Sequence, residues 1–520
     1  MILVNDGIEQ MIRARKIFPI ALIVAAGAAV SMVMAGSAAA HPVRPNLSSP
    51  AWPLGHAGRW LTDAKGRVLI IHGVNVPTKI LPAGDPVALG FDDTHAAFIA
   101  SLGFNAIRLG VERYFVEPEP GQFDAGYVGQ FSKTVKMLAD HGILSLIDFH
   151  QDEFGPEFCD NGFPEWMTVT DGLPSTCEGF PYEYLENEAL NRAFDHLWQN
   201  DSDLGPHGSK LQDDDAEILH YVASKLHNLP GILGYEVINE PWPGSKYPTC
   251  ISLPPFSGCP EFDTTLFSAY YDRMIPELRL ADKTHLIWYE PLVLFNFGIP
   301  TFVNPPADPR RGFAFHDYTI CQTIPSLCGP ATDDAAVVSN AVAHTAETGD
   351  AMLETEFGAT NDTSQLSEQV GLYDQNMIPW MFWAYNNEIV GVTGDGTLLP
   401  PTGDNVQWPT VDVLASPYPQ LVSGTPISWG FDQPSETFTA QYSTKSAAGV
   451  GRFQPGSVTE FVVPAVQYPN GYGVAVTGGA VLSDAGAPLL KVAACPGAST
   501  VSVTVTPSSG NSHKFKTGCH

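Results

Sequence analysis

The chain has 520 residues, too many for one small module; 44% of them are hydrophobic and only 16% charged, enough to bury a large core and exclude intrinsic disorder. Acidic residues outnumber basic ones 56 to 26, a net charge of −30. That charge repels polyanions, so nucleic acid is excluded as a partner and charge-driven docking on anionic membranes is disfavoured.

At the N-terminus, Arg13, Arg15 and Lys16 precede an apolar run over 17–35, and Ser37-Ala38-Ala39-Ala40 stands before His41. The pattern predicts a signal peptide over residues 1–40, cleaved after Ala40, and a secreted protein. The run approaches the ~20 residues that span a bilayer, so an uncleaved membrane anchor is the alternative. All eight cysteines follow in close pairs: Cys159 with Cys177, Cys250 with Cys259, Cys321 with Cys328, and Cys495 with Cys519. An even count in an exported chain favours disulfides, although spacing alone does not fix which cysteines join.

From residue 68 to about 425, short apolar runs alternate with amphipathic stretches. The runs cover 68–76, 105–111, 144–150, 232–240, 285–290, 312–318, 351–357 and 380–386. They lack strict alternation, as parallel strands buried on both faces do. Between them, Val128, Phe131, Val135 and Leu138 recur at helical spacing before a stop at His141-Gly142, and 211–226 and 265–280 read similarly. Eight strands alternating with helices predict an α/β protein, a (β/α)8 TIM barrel over 41–425, with an open doubly wound sheet as the alternative. Beyond 425 the helical period stops. Alternating runs at 438–442, 458–463, 473–476 and 501–505, separated by Gly, Pro, Ser and Asn, predict a C-terminal β-sandwich over 426–520.

In a barrel, chemistry sits where the strands end, and these ends are polar. Asn75 stands at the end of the first run, with Lys79 four residues later; Arg108 is in the second; the third ends Asp148-Phe149-His150-Gln151-Asp152. Asn239-Glu240-Pro241, His316-Asp317-Tyr318, Glu354-Thr355-Glu356-Phe357-Gly358 and Trp383 mark later ones. Glu240 and Glu356 are 116 residues apart in sequence but can face one bond across a barrel, as glycoside hydrolysis requires. Arg108 is placed to keep Glu356 ionised, and burial to keep Glu240 protonated. Asn239 can hold a sugar hydroxyl, and Trp383 can stack beneath a ring. Lone histidines such as His72 and His220 read as structural, and Asp213, Asp214 and Asp215 as a helix N-terminal turn. There is no phosphate loop, nicotinamide fingerprint, zinc spacing or Gly-x-Ser-x-Gly elbow, so neither cofactor nor metal is expected.

The Asn239-Glu240-Pro241 motif, His316 with Tyr318, Glu356 on the seventh strand and Trp383 resemble glycoside hydrolase family 5. Asn75-Val76-Pro77-Thr78-Lys79, the string from Asp148 to Asp152, Tyr235 to Pro241 and Thr355-Glu356-Phe357-Gly358 narrow the resemblance to the endoglycoceramidase group. It covers roughly residues 55–520. The resemblance implies a retaining endo-β-glycosidase that cuts between oligosaccharide and ceramide in glycosphingolipids, with Glu356 as nucleophile and Glu240 as acid/base. Lys79, Asp148, His150, Asn239 and Trp383 would contact the sugar nearest the lipid, with Trp198 a further contact. Tyr318 would donate to the nucleophile, and His316 would tune the acid/base. A lipid tail needs an apolar slot; the candidates are Phe154, Phe158, Phe163 and Trp166 after the third strand, and Leu292, Phe295 and Phe297 after the fifth. Contact with micelles or membranes would be transient and rest on apolar insertion. The alternatives are a related β-glycosidase (a glucosylceramidase, a 6-galactose-series enzyme or a cellulase) or a carbohydrate-binding surface protein that uses its sandwich.

Overall fold

The structure, a computed structural model, describes residues 47–520 other than 80–83, 178, 180–181, 252–256, 319–332, 387–390, 394–398, 509–518 and 520. The expected leader and the Cys321–Cys328 pair lie outside the described residues. Eight parallel strands close into a barrel: β1 (His72–Val76), β2 (Ala106–Glu112), β3 (Leu144–His150), β4 (Ile232–Glu236), β5 (Leu286–Tyr289), β6 (Arg311–Asp317), β7 (Ala351–Gly358) and β8 (Trp380–Trp383). Every strand is almost wholly buried, which is why the sequence shows solid apolar runs there.

Alternate residues fill the interior. Ala106, Leu144, Leu146, Leu233, Leu286, Trp288, Leu353 and Met381 form one cluster with Leu54, Leu61, Leu69 and Leu421, which stop the N-terminal end of the barrel. The opposite faces of the strands pack under helices such as Ala125–Asp140. Asp124 caps that helix by accepting from Gly126 and Tyr127, and its apolar stripe of Val128, Phe131, Val135 and Leu138 is buried. The chain then leaves through Gly142 at φ +77°, where a Cβ would come within 2.7 Å of the Leu47 carbonyl.

The small domain comprises a seven-stranded and a four-stranded sheet. The larger runs Gly55–Ala57, Trp60–Thr62, Val68–Leu69, Tyr418–Val422, Val458–Val462, Leu489–Ala494, Gly479–Val481; the smaller Thr425–Asp432, Thr437–Ser443, Thr500–Pro507, Tyr472–Thr477. The domain thus takes in strands from 55–69 as well as residues before 426. The run over 68–76 is not one strand: Val68–Leu69 pairs with Leu421 and Val422 in the small domain, and only from His72 does the chain enter the barrel. Both halves are buried and Ile70-Ile71 joins them, so the apolar run continues through the change of sheet.

Tyr418 stacks on His72 at 3.9 Å and donates to the Gly103 carbonyl at 2.8 Å. Trp429 Nε1 donates to Asp374 Oδ1 at 2.7 Å, joining the smaller sheet to helix Thr363–Asn376. Burial pushes the Asp374 carboxyl up to about 7, against that hydrogen bond. Trp429→Phe leaves the buried carboxyl unpaired and is expected to cost about 1–3 kcal/mol. Differential scanning calorimetry should show a lower Tm; an unchanged Tm would mean that this contact does not hold the domains together.

Cys159–Cys177, Cys250–Cys259 and Cys495–Cys519 are disulfides with Cα separations of 5.8, 4.6 and 5.3 Å, ordinary bridging distances. The first two staple the loops after β3 and β4, and the third ties down the C-terminal segment.

Candidate active site

Arg108 organises the C-terminal end of the barrel. It lies on the inward face of β2 and is 1% exposed. Its Nε bonds to Glu236 and its Nη1 to Glu356; Nη2 reaches Asn239 Oδ1 at 2.8 Å, Asp148 Oδ1 at 3.1 Å and Glu290 Oε1 at 3.3 Å. Burial would lower its pKa, but Asp148, Glu236, Glu356 and Glu290 outweigh burial and hold it well above the usual guanidinium value. The planar guanidinium offers five N–H donors in a fixed fork, which suits it to hold several carboxylates at once.

Glu240 follows β4 with φ +40°, a strained setting for a residue with a side chain. Its neighbours fix that backbone: its N–H donates to Glu290 Oε2 at 3.0 Å, and Gln151 Nε2 donates to the carbonyls of Asn239 and Glu240 at 2.7 and 2.9 Å. The side chain is thereby aimed at Glu356. Glu240 Oε1 accepts from Asn296 Nδ2 at 2.6 Å and lies 2.8 Å from His316 Nδ1. Glu356 Oε2 accepts from the Tyr318 hydroxyl at 3.0 Å. Carboxylate oxygens of Glu240 and Glu356 lie within 4.8 Å of each other, around His316.

The two acids differ in environment. Burial, with the negative charge of Asp152, pushes Glu240 up to about 7. Burial also raises Glu356, but the Arg108 guanidinium opposes it, and of the two only Glu356 touches a guanidinium. Burial lowers His316 to about 4, so its ring is neutral. Glu236, Glu290 and His316 are also close enough to surround a cation, as are Glu240, His316 and Glu356. Arg108, bonded to Glu236 and Glu356, already supplies the compensating positive charge there.

Beside the pair is a cleft of about 210 Å³ walled by Lys79, Glu112, His150 and Trp383. Lys79 pairs with Asp152, and its ammonium lies 4.8 Å from the centre of the Trp383 ring. His150 sits between Asp148 Oδ2 at 2.6 Å and Asp152 Oδ2 at 3.2 Å. Burial would lower its pKa, but those carboxylates lift it to about 10, so it is an imidazolium. Its ring lies parallel to that of Trp383, centroids 5.9 Å apart.

All the residues expected at the site gather here, though not all face the cleft with free atoms. Asp148 bridges Arg108 and His150. Asn239 accepts from Arg108 and donates to the Gln151 carbonyl at 3.0 Å, leaving one amide hydrogen for a ligand. Trp198 is no sugar contact: it is 2% exposed, donates to the Trp242 carbonyl, and packs on Phe194, Phe267 and Tyr270. Phe154 stacks on Phe163 and meets Phe158 edge to face, and the three are buried in the core of the β3 loop rather than lining a slot. After β5, Leu292, Leu294, Phe295 and Ile299 do line a groove of about 200 Å³, against Cys259. The residues to which sequence reasoning gave no role are Glu236, Glu290 and Asn296; Asp152 was noted only as part of a strand-end string. Glu290 had a usable signal, because it closes the run over 285–290; Asn296 had none.

Residues 72–389 match the family described as Cellulase (glycosyl hydrolase family 5), and residues 417–506 match the Glycoside hydrolase family 5 C-terminal domain. A relative, Endoglycoceramidase I of Rhodococcus hoagii, is 31% identical over 469 residues, covering 86% of this chain and 87% of its own. Two solved structures of endo-glycoceramidase II from Rhodococcus sp. are similar, each at 25% identity and covering 86% of this chain. One is its ganglioside GM3 complex, with a TM-score of 0.71 and 99% of that chain covered; the other is its lactosyl-enzyme intermediate, with a TM-score of 0.70 and all of that chain covered. With all eight barrel strands inside the first match and most of the second sheet system inside the other, the chain belongs to glycoside hydrolase family 5.

Proposed function

We propose that this glycoside hydrolase is a retaining endo-β-glycosidase that cleaves the bond between oligosaccharide and ceramide in glycosphingolipids. The observation that carries the reading is the close pair of unlike carboxyls, Glu240 and Glu356. A separation near 5 Å suits direct attack by one carboxylate, whereas an interposed water needs about 6.5–9.5 Å. Glu356 attacks the anomeric carbon as Glu240 gives its proton to the departing ceramide oxygen, and the sugar becomes an ester of Glu356. Glu240, now ionised, takes a proton from water as the water oxygen attacks the same carbon, freeing the glycan and restoring both groups. Tyr318 and Arg108 hold Glu356 in line. The lactosyl-enzyme form of the Rhodococcus neighbour is consistent with such an intermediate.

The lipid half of the substrate leaves on the Glu240 side. Asn296, which bonds Glu240, sits on the turn Val293–Phe297, and neighbouring residues line the groove after β5. That groove suits an acyl or sphingoid chain. Export with cleavage after Ala40 fits the leader pattern and the three disulfides among the described residues. Mass spectrometry of products from glucosylceramide, lactosylceramide and a ganglioside should show ceramide with intact glycan from the latter two. Free glucose from glucosylceramide, with the longer glycolipids untouched, would overturn the endo reading.

A further inference from the structure

Among the described residues, the charged side chains around the cleft are paired, with one exception. Lys79 holds Asp152, His150 lies between Asp148 and Asp152, and Arg108 holds Glu236 and Glu356. Glu112, the last residue of β2, lines the same cleft, level with His150 on β3. Its N–H donates to the Tyr127 hydroxyl at 3.0 Å, which fixes the end of the strand. The residue is 1% exposed, yet its Oε2 has no hydrogen-bond partner among the described residues. A buried oxygen left unpaired is unfavourable, and such groups occur where a ligand satisfies them. Burial lifts the carboxyl to about 8 against the pull of His150 and Lys79. It therefore carries a proton at neutral pH, and can both donate and accept.

We propose that Glu112 is a specificity-determining residue, its carboxyl group hydrogen-bonding the C3–C4 edge of the sugar that Glu356 attacks. The inference rests on Glu356 and Glu240 being the reacting pair. With C1 held at Glu356 and the ring lying along Trp383, the edge opposite C1 points to the wall formed by β1, β2 and β3. A protonated carboxyl there can accept from a C3 hydroxyl and donate to an oxygen at C4 that already carries the next sugar; a carboxylate could only accept.

The test uses p-nitrophenyl β-glucoside with its 3-deoxy and 4-deoxy forms, which carry no ceramide and so do not depend on the lipid reading. Glu112→Leu should lower kcat/KM about 10- to 100-fold on the parent. On one of the deoxy forms it should cause no further loss. Glu112→Gln, which keeps a donor and an acceptor, should lose less than Glu112→Leu. Equal losses on the parent and both deoxy forms overturn the proposal, because a purely structural residue would behave that way. Glu112→Ala replaces the leucine variant if that does not fold. Binding is read separately as the rise in Tm on adding lactose. A Glu112→Leu protein whose rise equals that of the wild type overturns the proposal; a lost rise supports it even if no glucoside is hydrolysed, in which case the reaction assigned to Glu356 and Glu240 is what has failed.

Discussion

Glu356→Ala lowers kcat on any β-glycoside by at least about 10³-fold, since the covalent route loses its nucleophile. The fold should tolerate the change, because Arg108 keeps Glu236, Asp148 and Glu290 as partners. Sodium azide, small enough to occupy the deleted carboxylate's place, should restore turnover of an activated aryl glycoside and give an α-glycosyl azide. Turnover within about tenfold of wild type would remove Glu356 from the reaction. Glu240→Gln should behave differently. It loses about 10²–10⁴-fold on a glycolipid, whose alcohol leaving group needs a proton. On a fluoride or dinitrophenyl glycoside, formation of the intermediate is nearly unaffected. Equal losses on both substrates would mean that Glu240 is not the acid.

The pH dependence follows from the same pair. Glu240 acts when protonated and is held up to about 7, so kcat/KM on glycolipid falls as pH rises through about 7. Glu356 acts when ionised, and burial has raised it, so the acidic limb begins above the ordinary glutamate value. The Glu240→Gln variant should lose the alkaline limb and keep the acidic one. An alkaline limb unchanged in that variant would assign it to another group, with Glu112 the first to examine.

The barrel was legible because its strands are buried on both faces and read as uninterrupted apolar runs. That same uniformity concealed the break between Leu69 and His72, because Ile70 and Ile71 carry the apolar run across the change of sheet. The strands Gly55–Ala57 and Trp60–Thr62 are too short to show a period, and they acquire meaning only when Leu54 and Leu61 stop the barrel. At the site, a polar residue at or near the end of an apolar run announced itself, hence Glu240, Glu356 and His150. Glu236 stood inside a run and looked like strand. Asn296 lies on a five-residue turn, and its bond to Glu240 depends on where that turn folds. Aromatic residues were the least legible, because stacking in a loop core and lining a lipid groove call for the same side chains. Phe154 and Phe163 pack in the core of a loop, and Phe295 lines the groove after β5.

Arg108→Leu should be the most destabilising change near the site, by about 3–5 kcal/mol near neutral pH, as expected when one partner of a buried ion pair is removed. Leucine fills part of the volume but leaves Asp148, Glu236 and Glu356 facing one another. The pH dependence separates this cause from simple loss of packing. In the wild type, burial would raise Asp148, but Arg108 and His150 hold it below the ordinary aspartate value. Its contribution to stability is therefore present above the unfolded pKa and is lost as pH falls through the folded one. Without Arg108, Asp148 loses a cation that holds it down, and Glu356, already raised by burial, loses a cation that opposes the rise, so both carboxyls move up. A carboxyl raised above its unfolded value contributes stability at low pH that is lost as pH increases. The gap between wild type and variant should thus be widest near neutrality and narrow toward about pH 4, as read by urea unfolding across that range. A gap that does not change with pH would show that leucine fails by shape, and that the cation is not what holds these carboxylates together. Arg108→Lys is the companion variant: it restores the charge but not the fork, so it should recover part of the stability while leaving Glu356 less well oriented and kcat still depressed.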